Sequence, residues 1–152
     1  MPPALQDIQG FLQIAPDLPT AGQPTVEQFP LLQADGDDLI INLAAPGSPD
    51  YIPAEETQAQ SLGMRYLAIP VDWNHPSQAD LEAFFTAMDA NRGRRIFVHC
   101  ARNMRVSCFV YLYRLLVLGE DEARCKADLE RIWQPNDIWT RFMQEAVIRD
   151  KR

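Results

Sequence analysis

Residues 96–118 read IFVHCARNMRVSCFVYLYRLLVL, an apolar strand and an apolar helix with a short polar loop between them. The β-prone run at 96–98 predicts a strand. The helix is predicted over 104–118 and is apolar almost all round, which is typical of a buried helix. His99 and Cys100 therefore stand at the carboxyl end of a buried strand, just before a buried helix begins.

The same alternation of short apolar runs with helical segments extends over most of the chain. Further strands are predicted at 39–43 and 65–71, and a short edge strand near 11–14 lies in a Pro-rich extended segment over the first 24 residues. Helices are predicted at 25–32, 53–62, 77–88, 121–133 and 137–149. We expect a single α/β domain over residues 1–152, with a mostly parallel central sheet of four to five strands and helices on both faces.

Composition excludes several classes of protein. The formal net charge of −7 disfavours general binding to nucleic acid or membrane surfaces, which depends on clustered Lys and Arg. No run reaches the roughly 18 apolar residues of a membrane span, and no basic segment followed by an apolar run suggests a secretory signal. The spacing of Cys100, Cys108 and Cys125 fits neither a disulfide framework nor a zinc site. We expect a cytoplasmic protein with reduced thiols, no metal and no cofactor.

The loop after the strand combines a thiol with groups that attract anions. A strand-to-helix loop directs backbone amide hydrogens and the positive end of the helix dipole at one point. This field stabilises a thiolate at Cys100, and Arg105 adds a planar fork of donors suited to phosphate or sulfate oxygens. A lone cysteine is more often a small core residue, the interpretation given to Cys108 and Cys125. The neighbours of Cys100, which include His99 and a hydroxyl at Ser107, instead favour a nucleophile.

A second candidate, Asp72, follows another predicted strand. Because the carboxyl ends of parallel strands meet at one edge of the sheet, we expect Asp72 near Cys100.

Trp73 and a cluster of arginines are not assigned a catalytic role. Trp73 is interpreted as packing or as part of the pocket mouth. The arginines at 92, 94 and 95 precede the strand that ends at Cys100, so we expect them at the opposite end of the sheet.

Residues 98–107 resemble the signature loop of the cysteine-based protein tyrosine and dual-specificity phosphatases, in particular their small bacterial relatives. The likeness extends to residues 21–25, 41–43 and 69–72. It implies a dual-specificity-phosphatase-like fold and a hydrolase of phosphoric monoesters. The substrate would be a phosphorylated protein or a small phosphate ester, and the reaction would pass through a phosphocysteine.

The resemblance also implies a role for each residue of the loop. Cys100 is expected to be the nucleophile, Arg105 to hold the phosphoryl oxygens and Asp72 to protonate the leaving oxygen. An Asp that acts as an acid near neutral pH needs burial or nearby negative charge to raise its pKa from ~3.9, and a bound phosphate with Pro70 and Trp73 would supply these. His75 is the rival acid, since an imidazole exchanges protons near neutral pH. Ser107 corresponds to a hydroxyl that assists departure of the thiolate. The phosphate-binding residues implied by the likeness are Ala101, Arg102, Asn103, Met104, Val106 and Ser107.

The loop departs from the family pattern in two places. Four residues instead of five separate Cys100 from Arg105, so that Val106 takes the usual Arg position. One residue on a helix is a rotation of about 100°, so Arg105 reaches the anion only if the loop is wound differently. Asn103 stands where many members have Gly, and Asn tolerates a left-handed backbone better than most residues.

These departures leave two alternatives open. A rhodanese-like sulfurtransferase has a six-residue loop that begins with Cys and often ends in Arg, which is the count found here. This alternative is disfavoured by three features that a persulfide carrier does not need: the His99–Cys100 pair, Asp72 and Ser107. The other alternative is a phosphate- or phosphoprotein-binding module that has lost catalysis through the displaced Arg105.

Overall fold

A five-stranded sheet forms the centre of the computed structural model, which describes residues 3–152. The first two residues of the predicted extended segment lie outside this range. The strands are β1 (Leu12–Ala15), β2 (Leu18–Ala21), β3 (Leu39–Asn42), β4 (Arg65–Ala68) and β5 (Ile96–His99). Their order across the sheet is β1-β2-β5-β3-β4, in which β2 to β5 run parallel and only β1 is antiparallel to its neighbour. The predicted mostly parallel sheet is thus confirmed.

Helices cover both faces of the sheet, as the alternation of elements predicts. Successive strand residues point to opposite faces, so Ile40 packs with α1 and α2 while Ile41 packs with the other helices. Within residues 3–152 no helix has the length and apolar character needed to cross a membrane. The helices are α1 (Phe29–Asp35), α2 (Glu55–Ser61), α3 (Gln78–Ala90), α4 (Met104–Leu112), α5 (Glu122–Ile132) and α6 (Asp137–Arg149).

The N-terminal segment differs from its prediction. Leu18–Ala21 is a fully buried strand between β1 and β5, where the sequence predicts extended chain. Pro19 argues against a central strand in the sequence, because proline cannot donate a backbone hydrogen bond to a neighbouring strand. The structure accommodates Pro19 opposite Gln13, where the register of β1 is irregular, and the parallel pairing with β5 begins only at Thr20. The helix predicted at 25–32 is a 3₁₀ turn capped by Thr25, followed by α1.

Two other predicted elements are shorter than expected. The apolar run at 104–118 is α-helical only to Leu112 and then widens into a π-helical turn, Tyr113–Val117. This wider turn accompanies the burial of Arg114 against the carboxylates of Glu120 and Asp128, at 2.9 and 2.6 Å.

The strand predicted at 65–71 ends at Ala68. The chain nevertheless continues alongside β3, because Ile69 donates to the carbonyl of Asn42 and Val71 to that of Leu43. This extension carries Asp72 to the edge of the sheet where β5 also ends.

Candidate active site

A cavity of about 500 Å³ opens at the carboxyl edge of the sheet, where open α/β sheets bind ligands. Cys100, directly after β5, lines its deep end and is 1% exposed. The walls come from the loop at 45–49 after β3, from Asp72 and Trp73, and from the first residues of α4. The structure thus brings Cys100, Arg105 and Asp72 to one cavity, as the sequence predicts.

The loop between β5 and α4 presents its backbone to this cavity. Asn103 adopts the left-handed conformation, with φ of 67°, and its side-chain amide donates to the carbonyl of Gly10 at 2.7 Å. Within the part of the chain that the structure describes, no acceptor takes the amide hydrogens of residues 101–104. Amides at the start of a helix that lack internal partners favour an anion.

The N-terminal segment braces this loop from behind. Gln23 donates its backbone N–H to the carbonyl of Ala101 at 3.0 Å, and Gly22 packs so closely that a Cβ there would lie 2.5 Å from the same oxygen. Thr20 accepts a hydrogen bond from the side chain of Asn103 at 3.1 Å. Residues 21–25, which carry part of the family likeness, therefore hold the loop in place.

Arg105 lies on the cavity wall despite its early position. Its Nη1 donates to the carbonyl of Val71 at 2.9 Å and its Nη2 to Oγ of Ser48 at 3.2 Å. Its guanidinium carbon lies 6.0 Å from the ring centroid of Trp73. An arginine has five N–H donors, so these two bonds leave donors for an anion. The guanidinium also joins the two loops that border the cavity.

Asp72 is exposed, with 64% of its side-chain surface accessible, so burial does not supply the raised pKa that an acid at neutral pH requires. The backbone N–H of Asn74, at 2.8 Å, and then that of His75 donate to its Oδ1 and lower the pKa of Asp72 below its usual value. Trp73 does not cover it, because the indole packs on Trp133 and Trp139. His75 is 85% exposed at its side chain and does not line the cavity.

Three of the six residues predicted to bind phosphate line the cavity, namely Ala101, Arg102 and Met104. The other three side chains point elsewhere. Val106 is buried in the core, and Asn103 is held by the N-terminal segment. Ser107 donates its hydroxyl to the carbonyl of Met104 at 2.6 Å and accepts from Nε1 of Trp133 at 3.0 Å, so its proton is already committed within the helix.

Sequence reasoning missed Glu55, which lies behind the loop at the start of α2. Its Oε2 is 2.5 Å from Nε2 of His99, and both side chains are almost completely buried. Its Oε1 accepts a hydrogen bond from the side chain of Gln23 at 2.7 Å. The only sequence signal is a pair of glutamates at a helix start, which does not distinguish buried Glu55 from exposed Glu56.

The arginines at 92, 94 and 95 lie at the opposite end of the sheet, as predicted. They pair there with Asp89, Asp38 and Asp35 at 2.8, 3.1 and 2.6 Å. In the described part of the chain, no group of three or more His, Cys, Asp or Glu side chains is placed to hold a metal ion.

Comparisons with known proteins identify similar chains. No family model matches. A protein of Shewanella putrefaciens CN-32, described as "Putative phosphatase (DUF442)", is 37% identical, with a TM-score of 0.86 and coverage of 97% of both chains. A human tyrosine phosphatase-like serine/threonine/tyrosine-interacting protein is 20% identical over 91% of this chain and 95% of its own, with a TM-score of 0.74, and shares the fold.

Similarity also extends to much longer proteins. The "Beta-lactamase hydrolase-like protein" of Agrobacterium fabrum is 36% identical over 106 residues, which are 68% of this chain and 23% of that protein. The protein of the same name from Xylella fastidiosa is 32% identical over 91 residues, or 58% and 21%. The chain therefore matches less than a quarter of the length of these curated relatives.

Proposed function

Because this chain belongs to one family with the Shewanella protein described as "Putative phosphatase (DUF442)" and shares the fold of the tyrosine phosphatase-like protein, we propose that it hydrolyses phosphate monoesters through a phosphocysteine on Cys100. The observation that carries the proposal is the shared cavity. Its deep end holds the Cys100 thiol, next to the guanidinium of Arg105 and to the amides of 101–104, which have no acceptor among residues 3–152. A nucleophile facing fixed donors is the arrangement that phosphoryl transfer needs.

In the proposed reaction the Cys100 thiolate attacks phosphorus in line with the leaving oxygen. The S–P bond forms as the P–O bond to the leaving group breaks. The loop amides and Arg105 stabilise the charge on the other phosphoryl oxygens. Asp72 gives its proton to the leaving oxygen and then takes one from the water that attacks the phosphocysteine. Inorganic phosphate leaves and the thiolate is restored.

The walls of the cavity support an aryl phosphate of the phosphotyrosine type as substrate. Pro46, Pro49, Trp73 and Met104 make them largely apolar and provide an aromatic face. Flat apolar groups bind such surfaces well, whereas a heavily charged leaving group would find few cations there. Arg102, at the rim, is the other cationic side chain that lines the cavity.

The test is hydrolysis of a generic aryl phosphate by wild type, Cys100→Ser and Cys125→Ser. We expect Cys100→Ser to abolish turnover, because a serine hydroxyl is a far weaker nucleophile at neutral pH. Cys125→Ser, in α5 and away from the cavity, is the control and is expected to keep it. Acid quenching of the wild type during turnover should trap a phosphoryl group on the Cys100 peptide. Hydrolysis by Cys100→Ser at the wild-type rate would refute the mechanism.

The two alternatives are tested with the same proteins. A sulfurtransferase would move the outer sulfur of thiosulfate to Cys100 and then to cyanide, with release of sulfite and thiocyanate. A binding module would hold an aryl phosphate without turnover. Thiocyanate production without hydrolysis, or binding without hydrolysis, would therefore contradict the phosphatase proposal.

A further inference from the structure

We propose that Glu55 is a positioning residue for the thiolate of Cys100, and that it acts through His99. The inference deepens the proposed function and rests on the role of Cys100 as nucleophile. Glu55 touches neither the cavity nor the position of a substrate. Its influence on the thiolate passes through a buried chain of hydrogen bonds.

This chain of hydrogen bonds ends on the backbone of the anion-binding loop. Nδ1 of His99 lies 3.1 Å from the carbonyl oxygen of Cys100, and Nε2 faces Glu55 on the other side of the ring. The side chain of Gln23 donates to Glu55, while its backbone N–H donates to the carbonyl of Ala101 at 3.0 Å. Two successive carbonyls of the loop are therefore fixed by groups connected to one carboxylate.

Hydrogen-bond geometry indicates where the protons lie in this network. A carbonyl oxygen only accepts, so Nδ1 of His99 carries a hydrogen. Glu55 accepts from Gln23 and lies next to the hydroxyl of Tyr66, which itself receives a hydrogen bond from the side-chain amide of Asn42 at 2.9 Å. Burial and then the charge of Glu55 raise the pKa of Tyr66. Oε2 of Glu55, 2.5 Å from Nε2, therefore fixes the orientation of the imidazole that presents this hydrogen to the carbonyl of Cys100.

The pair acts on the backbone of the nucleophile. Nδ1 of His99 holds the carbonyl oxygen of Cys100, with Glu55 on the other side of the ring, so this hydrogen bond fixes the loop conformation and draws the negative end of that carbonyl dipole away from the thiolate. Other charged or titratable groups also act on Cys100. Arg102 and Arg105 belong to its own loop and helix, Asp72 faces it across the cavity, and the thiol of Cys108 lies within α4. Around Glu55 itself the further titratable groups are Tyr66 and Tyr51. A substitution of Glu55 leaves all of these side chains in place.

The experiment compares Glu55→Gln with Glu56→Gln. Gln is isosteric with Glu and keeps a partner for Gln23 and for His99, but it removes the carboxylate oxygen that faces Nε2 of His99. The matched control alters the exposed neighbour in the same turn of α2. The readout is the pH at which alkylation of Cys100 by iodoacetamide reaches half of its plateau rate, followed on the Cys100 peptide.

We expect Glu55→Gln to raise this midpoint by about one pH unit, with alkylation about tenfold slower below it. Glu56→Gln should match the wild type. In hydrolysis of an aryl phosphate, Glu55→Gln should lower kcat and leave KM nearly unchanged, because Glu55 does not touch the cavity. A wild-type midpoint in Glu55→Gln, or an equal shift in Glu56→Gln, would overturn the proposal.

Tyr66→Phe keeps the inference testable if Glu55→Gln fails to fold. It retains the carboxylate but removes the hydroxyl beside it, so a smaller upward shift of the same midpoint is expected, and no shift would overturn the proposal. Alkylation does not require turnover of a phosphate ester. A wild type that hydrolyses nothing therefore refutes the proposed function, whereas an unchanged midpoint refutes the role of Glu55 alone.

Discussion

The two oxygens of the Asp72 carboxylate have different surroundings. Oδ1 accepts the backbone hydrogens of Asn74 and His75, whereas Oδ2 has no hydrogen-bond partner among residues 3–152. The amides stabilise the charged form, and the resulting low pKa means that few molecules carry the acid proton at neutral pH. In the proposed reaction Oδ2 is the atom that holds this proton.

We predict that kcat for an aryl phosphate rises as pH falls towards the lowered pKa of Asp72, because the protonated fraction grows. Asp72→Asn should remove this dependence and lower kcat by about 10²–10⁴-fold at acidic pH, with a smaller effect above neutral pH. The measurement is kcat against pH, with Asp17→Asn at the opposite end of the sheet as the control. An Asp72→Asn protein with the wild-type profile would exclude Asp72 as the acid.

At the residue scale, the sequence could predict which side chains meet but not what surrounds them. Cys100 and Asp72 each follow a parallel strand, so topology alone brings them to one edge of the sheet. The low pKa of Asp72 depends on the turn at 72–75, which no periodic pattern describes. The pairing of Glu55 with His99 joins residues 44 positions apart and forms only through packing of α2.

At the scale of elements, the turn after β2 and the loop after β5 are in direct contact. We predict that Gly22→Ala lowers kcat and also destabilises the fold by about 1–3 kcal/mol, because its Cβ would lie 2.5 Å from the carbonyl oxygen of Ala101 and would displace the loop. The measurements are kcat for an aryl phosphate and the free energy of unfolding in urea.

Gly93→Ala is the control for this prediction. Gly93 has a φ of 84°, and no atom lies within 4 Å of the position that a Cβ would take, so alanine there costs about 1–2 kcal/mol of backbone strain without touching the cavity. It should lower stability and leave kcat unchanged. Equal kcat in Gly22→Ala and wild type would show that the contact does not shape the loop.

Helix patterns could be predicted more reliably than the N-terminal strands. The Ser77 cap and the apolar face of α3 are both present, and α6 has the predicted bounds. β2 could not be predicted for two reasons. Its burial comes from the strands on both sides of it, and it contains Pro19, although proline is rare in central strands. The π-helical turn after α4 could not be predicted, because a run that is apolar almost all round has no periodicity whose interruption would mark a wider turn.

At the scale of the whole molecule, the end of the sheet opposite the cavity carries a buried carboxyl group. The side chain of Asp37 is completely buried, and its nearest cation is Arg95, at 3.5 Å. Burial, reinforced by the neighbouring Asp35, raises the pKa of Asp37 to about 7. In the unfolded chain the same carboxyl has its ordinary pKa of 3.8.

We predict that Asp37 makes the fold less stable as pH rises. Between pH 3.8 and about 7 the folded state binds a proton that the unfolded state has lost, so stability falls across this window and is constant above it. Asp37→Asn should therefore be more stable than the wild type at pH 8, by up to about 4 kcal/mol, and the difference should vanish near pH 4.

Urea unfolding at several pH values measures this difference, and Asp38→Asn provides a control of opposite sign. Arg65 lowers the pKa of Asp38, so its ionised form stabilises the fold above pH 3.8 and this contribution is lost as pH falls. Asp38→Asn should lower stability at pH 8. A pH-independent difference between Asp37→Asn and wild type would contradict the prediction.

The separation of the arginines from the cavity followed from strand length, whereas the burial of Asp37 did not follow from any local pattern. A carboxyl group between two other acidic positions, Asp35 and Asp38, is indistinguishable in sequence from a solvated loop residue. Its burial depends on how the turn between α1 and β3 packs beside Arg95, which lies just before β5.

The bracing of the anion-binding loop by the N-terminal segment has a consequence for how the molecule assembles. The side chain of Asn103 reaches Thr20 and Gly10, which lie 83 and 93 residues earlier in the chain. Contacts between such distant residues form slowly, because the entropy of closing the intervening loop is lost before they contribute stability. Helices such as α3 and α6 depend on local contacts and need no such closure. A refolding chain is therefore expected to recover its helical signal before its anion-binding loop forms. In a newly synthesised chain, the loop that surrounds Cys100 likewise forms only after the N-terminal segment has docked against it.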